Sequence, residues 1–159
     1  MVAERAGVQR NTLYAHFPDE RSLQLACSAL FLERNPPPDA AAWREVADAG
    51  ERLREGLKAV YGWYSRTAEM TGCVLRDADH HPLTRETAEL RLGPTIAGWH
   101  EVLGSGLGEA QQALLRLALG FHSWRALVRE AGLSEGAAAD IMARAIEGAE
   151  RETGARARI

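Results

Sequence analysis

The sequence predicts an all-α protein. It holds 28 Ala and 19 Leu against only 7 Val and 4 Ile, and Ala and Leu favour helices whereas β-branched residues favour strands. Apolar residues recur at intervals of three and four along most of the chain, which is the period of an amphipathic helix. With 46% hydrophobic and 26% charged residues the composition is that of an ordinary globular protein, and the net charge of −3 excludes a uniformly basic nucleic-acid coat.

The stretch "NPPPD" at 35–39 predicts the clearest boundary in the chain. Three consecutive prolines end a helix, and Asp39 can cap the next one. The sequence therefore predicts a small head over residues 1–35 and a larger helical body over residues 39–159.

The head is predicted to hold three helical segments. One over residues 2–6 ends at Gly7, and a second runs from residue 9 or 10 to residue 16 or 17 and is closed by Pro18. Asp19 then caps the third helix. The expected apolar face of that helix comprises Leu23, Ala26, Cys27, Leu30 and Phe31.

The body is predicted to be helical almost throughout. Its expected elements are a helix from residue 40 to about 70, a short helix and a loop over 71–82, a helix over 83–103 kinked at Gly93-Pro94, a break at 104–109, and two final helices over about 109–130 and 134–152. Gly132 is the predicted C-cap and Ser134 the predicted N-cap between the last two.

The cysteines and the hydropathy indicate an ordinary cytoplasmic protein. Cys27 and Cys73 lie 46 residues apart and form no CxxC motif, so we expect two buried, reduced thiols rather than a zinc or redox site. No apolar run approaches the length of a membrane span, and we expect no membrane association.

Two short helices joined by a turn that contains glycine, with a third helix behind, are typical of a helix-turn-helix domain. In "VQRNTLYAHF" the apolar Val8, Leu13 and Phe17 are predicted to face inward. Arginine reads guanine and Gln or Asn reads adenine, whereas Thr, Tyr and His suit phosphate oxygens. An ordinary surface helix with mixed polar residues is the alternative. The side chains expected to face outward are Gln9, Arg10, Asn11, Thr12 and Tyr14.

The segment "AERAGVQRNTLYAHFPDERSL" resembles the recognition segment of the TetR family of transcriptional regulators. The resemblance is specific over about 20 residues, and the long helices with a terminal helix pair extend a weaker likeness over most of the chain. It implies a homodimer that binds double-stranded operator DNA, with a four-helix interface made by the last two helices of each copy. It also implies a pocket among the middle helices for an unidentified small-molecule effector that lowers DNA affinity. The matching residues are Ala3, Ala6, Gly7, Val8, Thr12, Leu13, Tyr14, His16, Phe17 and Leu23.

By this match, roles in DNA binding can be assigned to individual residues. Gln9, Arg10 and Asn11 fall at base-reading positions, whereas Thr12, Tyr14 and His16 fall at phosphate-facing ones, and Arg21 can supply a further phosphate contact. The family's first helix would precede Met1, so we expect the chain to begin inside the DNA-binding domain. Four arginines and four acidic residues in 1–35 sum to zero charge, and we expect the head alone to bind DNA weakly because phosphate neutralisation supplies most non-specific affinity.

The middle helices carry the residues expected to line the effector pocket, which should have apolar and aromatic walls with a few polar groups. His100 and His122 are the best polar candidates, because they fall on helical faces that otherwise point inward. The alternative is that the aromatic residues are core and the histidines are hydrogen-bonded core residues. The candidates are Trp63, Tyr64, Met70, Cys73, Trp99, His100, Phe121, His122 and Trp124.

The chain has two other candidate functions. The loop "RDADHHP" brings Asp77, Asp79, His80 and His81 together and suggests a divalent-metal site or a hydrolase, but no HExxH motif, phosphate-binding glycine loop or nucleophile–base spacing supports one. We therefore expect no enzyme, no metal and no cofactor. The other alternative is an orphan helical dimer that binds a ligand but no longer binds DNA.

Overall fold

The computed structural model describes residues 16–156 of the chain, with side chains described up to residue 149, and within these bounds the protein is helical with no strand. The all-α prediction is confirmed. The elements are α1 (Glu20–Arg34), a 3₁₀ helix (Ala40–Glu45), α2 (Ala49–Ala78), α3 (Pro82–Leu103), α4 (Glu109–Ala118), α5 (Phe121–Trp124), a π-helix (Arg125–Glu130) and α6 (Glu135–Arg156).

Aspartates begin three of these elements. The Asp19 carboxylate accepts the Ser22 N–H at 2.7 Å, and the Ser22 hydroxyl faces the Asp19 N–H in return, which confirms the predicted cap of α1. Hydrogen bonds to the Asp19 carboxylate from the Ser22 backbone and, to a smaller extent, from the Ser22 side chain lower the pKa of that carboxyl. Asp39 accepts the Ala41 N–H at 2.9 Å, and Asp48 accepts the Glu51 N–H at 2.7 Å.

The third of these caps, Asp48, corrects a prediction. A single helix from residue 40 to about 70 was expected, but the chain forms the 3₁₀ helix Ala40–Glu45, becomes extended at Val46 and starts again after Asp48. The helix α2 then continues to Ala78, through the segment predicted to be a short helix and a loop. The Asp48 side chain satisfies an otherwise unpaired N–H in the first turn of α2, and this fixes the later start.

The core is built around α2. Helix α3 packs on one side of α2 and α6 on another, and α4 covers α6. The largest fully buried side chains are Trp99, Trp124, Tyr61, Leu57, Leu103, Leu115, Ile146 and Val60.

The expected continuous helix over 109–130 is broken, which is a second correction. The Tyr61 hydroxyl donates to the Ala118 carbonyl and the Tyr64 hydroxyl to the Leu119 carbonyl, both at 2.9 Å. These side chains from α2 take the place of backbone donors at the end of α4, and the chain turns at Gly120 before α5 and the π-helix. The following turn is as predicted, with Gly132 at a φ of +72° and the Ser134 hydroxyl accepting the Ala137 N–H.

Helix α1 lies against the N-terminal half of α3. Gln24 exchanges hydrogen bonds with Thr84 and Thr87, Arg21 pairs with Glu86, and Arg91 donates to the Leu25 carbonyl. No residue of α1 is fully buried. Of its predicted apolar face, Leu23, Ala26 and Phe31 are half-buried, whereas Cys27 and Leu30 are exposed.

The proline-rich boundary after α1 is fastened to the core by two tryptophans. The indole N–H of Trp63 donates to the Asn35 carbonyl at 3.0 Å, and that of Trp99 donates to the Pro38 carbonyl at 2.8 Å. Asn35 also caps the end of α1. The segment that joins α1 to the body is therefore held at both of its ends.

Two glycines of α2 provide a test of how closely α2 and α3 approach. A Cβ at Gly56 would lie 2.5 Å from a methyl carbon of the buried Leu103, whereas a Cβ at Gly62 would meet only the Arg66 side chain at 3.7 Å. We expect Gly62→Ala to raise the free energy of unfolding by up to about 1 kcal/mol through helix propensity. We expect Gly56→Ala to lower it, because overpacking costs about 1–3 kcal/mol. Urea unfolding of both variants measures whether each substitution raises or lowers the free energy of unfolding. A higher free energy of unfolding with Gly56→Ala would contradict the close approach of Leu103.

Candidate functional site

An open groove runs along the C-terminal half of α2, beyond the point where α6 begins to cover that helix. The Ser65 hydroxyl donates a 2.6 Å hydrogen bond to the carboxylate of Glu135, which lies at the start of α6. Beyond Ser65, α2 forms one wall of the groove. The opposite wall is formed by α5 and the start of the π-helix. The groove encloses about 590 Å³ and is lined by Ala68, Glu69, Gly72, Cys73, Leu75, Arg76, Asp79, Phe121, His122 and Arg125.

The groove has an apolar floor because α2 carries small residues there. Ala68, Gly72 and Leu75 lie on its α2 side, and Phe121 lies opposite. A Cβ at Gly72 would stand 3.7 Å from Phe121 Cζ and 3.8 Å from its Cε1, so the edge of that ring points toward the glycine. The ring is fixed from behind by Tyr64 at 5.4 Å and Trp124 at 5.1 Å between centroids.

The polar side chains of the groove are exposed and balanced in charge. Arg76 pairs with Asp77 at 3.0 Å, and Arg125 pairs through Nε with Glu130 at 3.1 Å. The Asp77 carboxylate and then the Cys73 thiol raise the pKa of the Arg76 guanidinium. Glu69 and Asp79 offset the two arginines in the lining. Exposed ion pairs of this kind are weak and are readily exchanged for other partners.

The structure separates the nine predicted effector-pocket residues into three sets. Cys73, Phe121 and His122 line the groove. Met70 is exposed outside that lining, and His100 is half-buried with a pKa lowered by burial and, to a smaller extent, by Arg116. The remaining four, which are core residues, are Trp63, Tyr64, Trp99 and Trp124.

Two of the sequence expectations about side-chain burial were wrong. Both Cys27 and Cys73 were expected to be buried, but both thiols are free and exposed. Cys27 lies on a helix with no fully buried residue, and Cys73 lies on the uncovered half of α2. His122 was expected on an inward face, but it is exposed because the break at Gly120 changes the phase of the following helix.

Most of the predicted DNA-binding residues cannot be placed. Gln9, Arg10, Asn11, Thr12 and Tyr14 lie outside the described residues, as do Val8 and Leu13. His16 and Arg21 are exposed at the start of the described region, and Arg21 is paired with Glu86 of α3.

The predicted dimer helices each carry large exposed apolar side chains. Leu117 of α4 is 57% exposed and Ile141 of α6 is 39% exposed. Small residues accompany them, with Ala113 on α4 and Ala145 on α6 also exposed. The side chains of α6 that face the core are a different set, namely Ala138, Ala139, Ala143 and Ile146.

The loop after α2 does not assemble a metal site. Among residues 16–149, no group of three or more His, Cys, Asp or Glu side chains is placed to hold an ion. Asp77 pairs with Arg76, and the loop's two histidines are exposed. Within the same described region no helix is long and apolar enough to span a membrane.

Sequence reasoning missed the residues that shape the groove. Gly72 was not singled out, although a glycine inside a helical pattern marks either a bend or a close approach. Arg125 was also missed, because nothing in its local sequence distinguishes it from the other surface arginines.

Comparison with family models, curated proteins and solved structures finds no match for the chain.

Proposed function

We propose that the protein is a ligand-responsive transcriptional repressor that binds operator DNA as a homodimer and is released by a small-molecule effector. The observation that carries the proposal is the helix-turn-helix-like segment over residues 3–23, with its "TLYAHF" motif resembling that of the TetR family. It leads directly into α1, whose N-terminus is capped by Asp19.

The position of the groove supports a link between effector and DNA-binding segment. The groove ends at Asp79, and α3 begins at Pro82 after a short turn. The Arg85 guanidinium donates to the Ala78 and Asp79 carbonyls and so ties this turn to α3. The same end of α3 holds α1 through Thr84, Glu86 and Thr87. A ligand that shifts the end of α2 therefore acts on the element that carries α1.

The exposed apolar side chains of α4 and α6 support the dimer. Leu117 and Ile141 are among the largest exposed apolar side chains of the described region. Isologous packing of these helices against a second copy removes both side chains from water, and burying a leucine or isoleucine contributes about 1.5–3 kcal/mol.

The experiment that tests the function is fluorescence anisotropy of this chain against DNA fragments that flank its own gene, over a range of salt concentrations. A working regulator binds one fragment saturably and loses affinity steeply as salt rises, because binding releases counterions from the phosphates. If no fragment binds, the measurement is repeated with a chain extended upstream by its in-frame codons. Absence of binding by both chains would contradict the proposal.

Two substitutions in the recognition segment separate base reading from phosphate contact. We expect Asn11→Ala to change which operator variant is preferred, because an asparagine amide discriminates adenine by about 1–3 kcal/mol. We expect Tyr14→Phe to weaken binding to all variants alike, because a phosphate contact carries no sequence information. Anisotropy against a panel of single-base operator variants measures both effects. An unchanged order of preference with Asn11→Ala would show that this residue does not read bases.

An orphan ligand-binding dimer is the second candidate function. The balanced charge of residues 1–35 and the pairing of Arg21 with Glu86 both favour it, because they reduce the positive charge offered to phosphate. This candidate predicts that no DNA binds at low salt while the dimer and ligand binding in the groove persist.

A further inference from the structure

We propose that the π-helix is a register switch: Ser65 holds the segment Arg125–Glu130 wound by one residue more than an α-helix, and release of this hold frees Arg125 for the groove. The register is the number of residues between a backbone N–H and the carbonyl that it binds, which is five in a π-helix and four in an α-helix. Such a switch is independent of DNA binding, and it is tested on the chain alone.

Three contacts in this segment join residues that are five apart. The Ala131 N–H donates to the Ala126 carbonyl at 2.9 Å. Two side-chain pairs have the same spacing, namely Arg125 with Glu130 at 3.1 Å and the Arg129 guanidinium with the centre of the Trp124 ring at 5.6 Å. In an α-helix, residues five apart are separated by about 140° around the helix axis. The backbone bond and both pairs therefore depend on the π register.

The local sequence favours an α-helix instead. The stretch "RALVRE" at 125–130 contains neither glycine nor proline, and Arg, Ala, Leu and Glu are among the best α-helix formers. π-helices are rare, occur mostly as single turns and are frequent at functional sites. A segment that prefers the α register by itself but adopts the π register is held there by contacts outside it.

Ser65 of α2 contacts both ends of the chain segment that contains the π-helix. Its hydroxyl accepts the Trp124 indole N–H at 3.3 Å and donates to the Glu135 carboxylate at 2.6 Å, and we call these two contacts the Ser65 clamp. Trp124 is 1% exposed and its ring packs against Tyr64 and Phe121, so the N-terminal end is fixed in the core. One side chain thus sets where both ends lie, and the π turn takes up the residue in excess between them.

Release of the Ser65 clamp changes what Arg125 offers to the groove. Arg125 lines the groove, and among the described residues its guanidinium donates only to Glu130, through Nε. In the α register Glu130 lies on another side of the helix, so all five N–H donors of Arg125 become available to a groove occupant. An occupant that engages these donors therefore favours the α register in return, and so shifts the start of α6.

The acceptor of the Ala131 N–H reports the register directly. The scalar coupling across a hydrogen bond, measured by nuclear magnetic resonance, identifies this acceptor as Ala126 in the π register or Leu127 in the α register. Ser65→Ala removes the clamp, and we expect the acceptor to change to Leu127. Glu135→Ala removes the contact to α6 and should have the same effect. Retention of Ala126 as the acceptor in both variants would overturn the proposal.

Ser134→Ala is the matched control, because it also removes a serine hydroxyl that stabilises the start of α6. The Ser134 hydroxyl accepts the Ala137 N–H at 3.2 Å and so caps α6. We expect this variant to keep Ala126 as the acceptor of the Ala131 N–H. A change of acceptor with Ser134→Ala would show that loosening of α6 is enough to alter the register, which contradicts the assigned role of Ser65.

Deletion of one residue tests the winding with the Ser65 clamp intact. Ala126 is exposed, and its removal takes out the residue in excess, so that the segment can form an α-helix between the same ends. We expect the urea midpoint of this deletion to equal or exceed that of the original chain. Deletion of the exposed Ala113 is the control, because it rotates the later residues of α4 by about 100° and should lower the midpoint or prevent folding. Equal losses with both deletions would rule out an excess residue in the π-helix.

The reaction of arginines with phenylglyoxal tests the link to the groove. Peptide mass spectrometry follows the initial rates at Arg125 and at Arg44, which is exposed and pairs with Glu101 of α3. In Ser65→Ala we expect Arg125 to react about two- to fivefold faster, because it loses an exposed ion pair, and Arg44 to react at its original rate. An unchanged rate at Arg125 in a variant that has adopted the α register would contradict the coupling between register and groove.

Discussion

Trp99→Ala is expected to lower the free energy of unfolding by about 3–5 kcal/mol, the range for removing a fully buried tryptophan. Trp99 is completely buried at the meeting point of α2, α3 and the proline-rich boundary. Its ring packs edge-on against Trp63 at 6.0 Å, and its indole N–H donates to the Pro38 carbonyl. Since a domain of this size is stable by about 5–15 kcal/mol, the loss is a large fraction of the total.

Urea unfolding followed by circular dichroism measures the effect, and Trp99→Phe is the matched control. Phenylalanine keeps most of the apolar volume but leaves the Pro38 carbonyl without its donor, which costs about 1–3 kcal/mol. We expect the loss with Trp99→Phe to fall clearly below that with Trp99→Ala. A loss below about 1 kcal/mol with Trp99→Ala would show that neither the packing nor the hydrogen bond holds the boundary to the core.

Features of the fold that are set by local chemistry could be predicted from the sequence. The caps at Asp19 and Asp39, the stop at the prolines, and the turn at Gly132 and Ser134 each depend on a few neighbouring residues. The start of α2 could not be predicted in the same way. Its cap, Asp48, lies within a stretch whose apolar spacing also suits a continuous helix, and the burial of Trp43 just before the break depends on packing against distant residues.

Features that depend on distant residues could not be predicted. The break after α4 is made by Tyr61 and Tyr64, which lie 57 and 55 residues before the carbonyls they bind. Because the break was not foreseen, the phase of the next helix was wrong, and His122 was placed inside instead of outside. The tyrosines that cause the break thus also decide which side chains border the groove.

The candidate site shows a further limit of sequence reasoning. Aromatic residues at helical spacing suit a core as well as a pocket, and composition does not distinguish the two. Trp63, Trp99 and Trp124 find backbone or side-chain partners for their indole N–H groups and close the core. The groove arises instead where α6 begins too late to cover α2, and that is a property of the relative positions of the helices.

Alkaline pH is expected to destabilise the protein steeply because Tyr61 and Tyr64 are buried. Burial raises the pKa of Tyr61 to about 12, and burial together with the neighbouring Tyr61 raises the pKa of Tyr64 as well. In the unfolded chain both phenols titrate near about 10. Below that pH both states hold the protons and stability is unaffected. Above it the unfolded state releases protons that the native state retains, so stability falls as pH rises toward the native pKa values, by about 1.4 kcal/mol per pH unit for each tyrosine.

Urea unfolding between about pH 8 and 11.5, with tyrosinate absorbance as a second signal, measures this fall, and single and double Tyr→Phe variants assign it. At neutral pH, Tyr61→Phe should cost about 1–2 kcal/mol because the Ala118 carbonyl loses its donor. Above pH 10 its stability should fall with about half of the original slope, since only Tyr64 then contributes. The double variant is less stable at neutral pH and nearly insensitive to alkali, so its stability curve should approach that of the original protein at high pH. If the double variant kept the original slope, the alkaline loss would come from other groups, and the tyrosine hydroxyls would not be the buried donors that end α4.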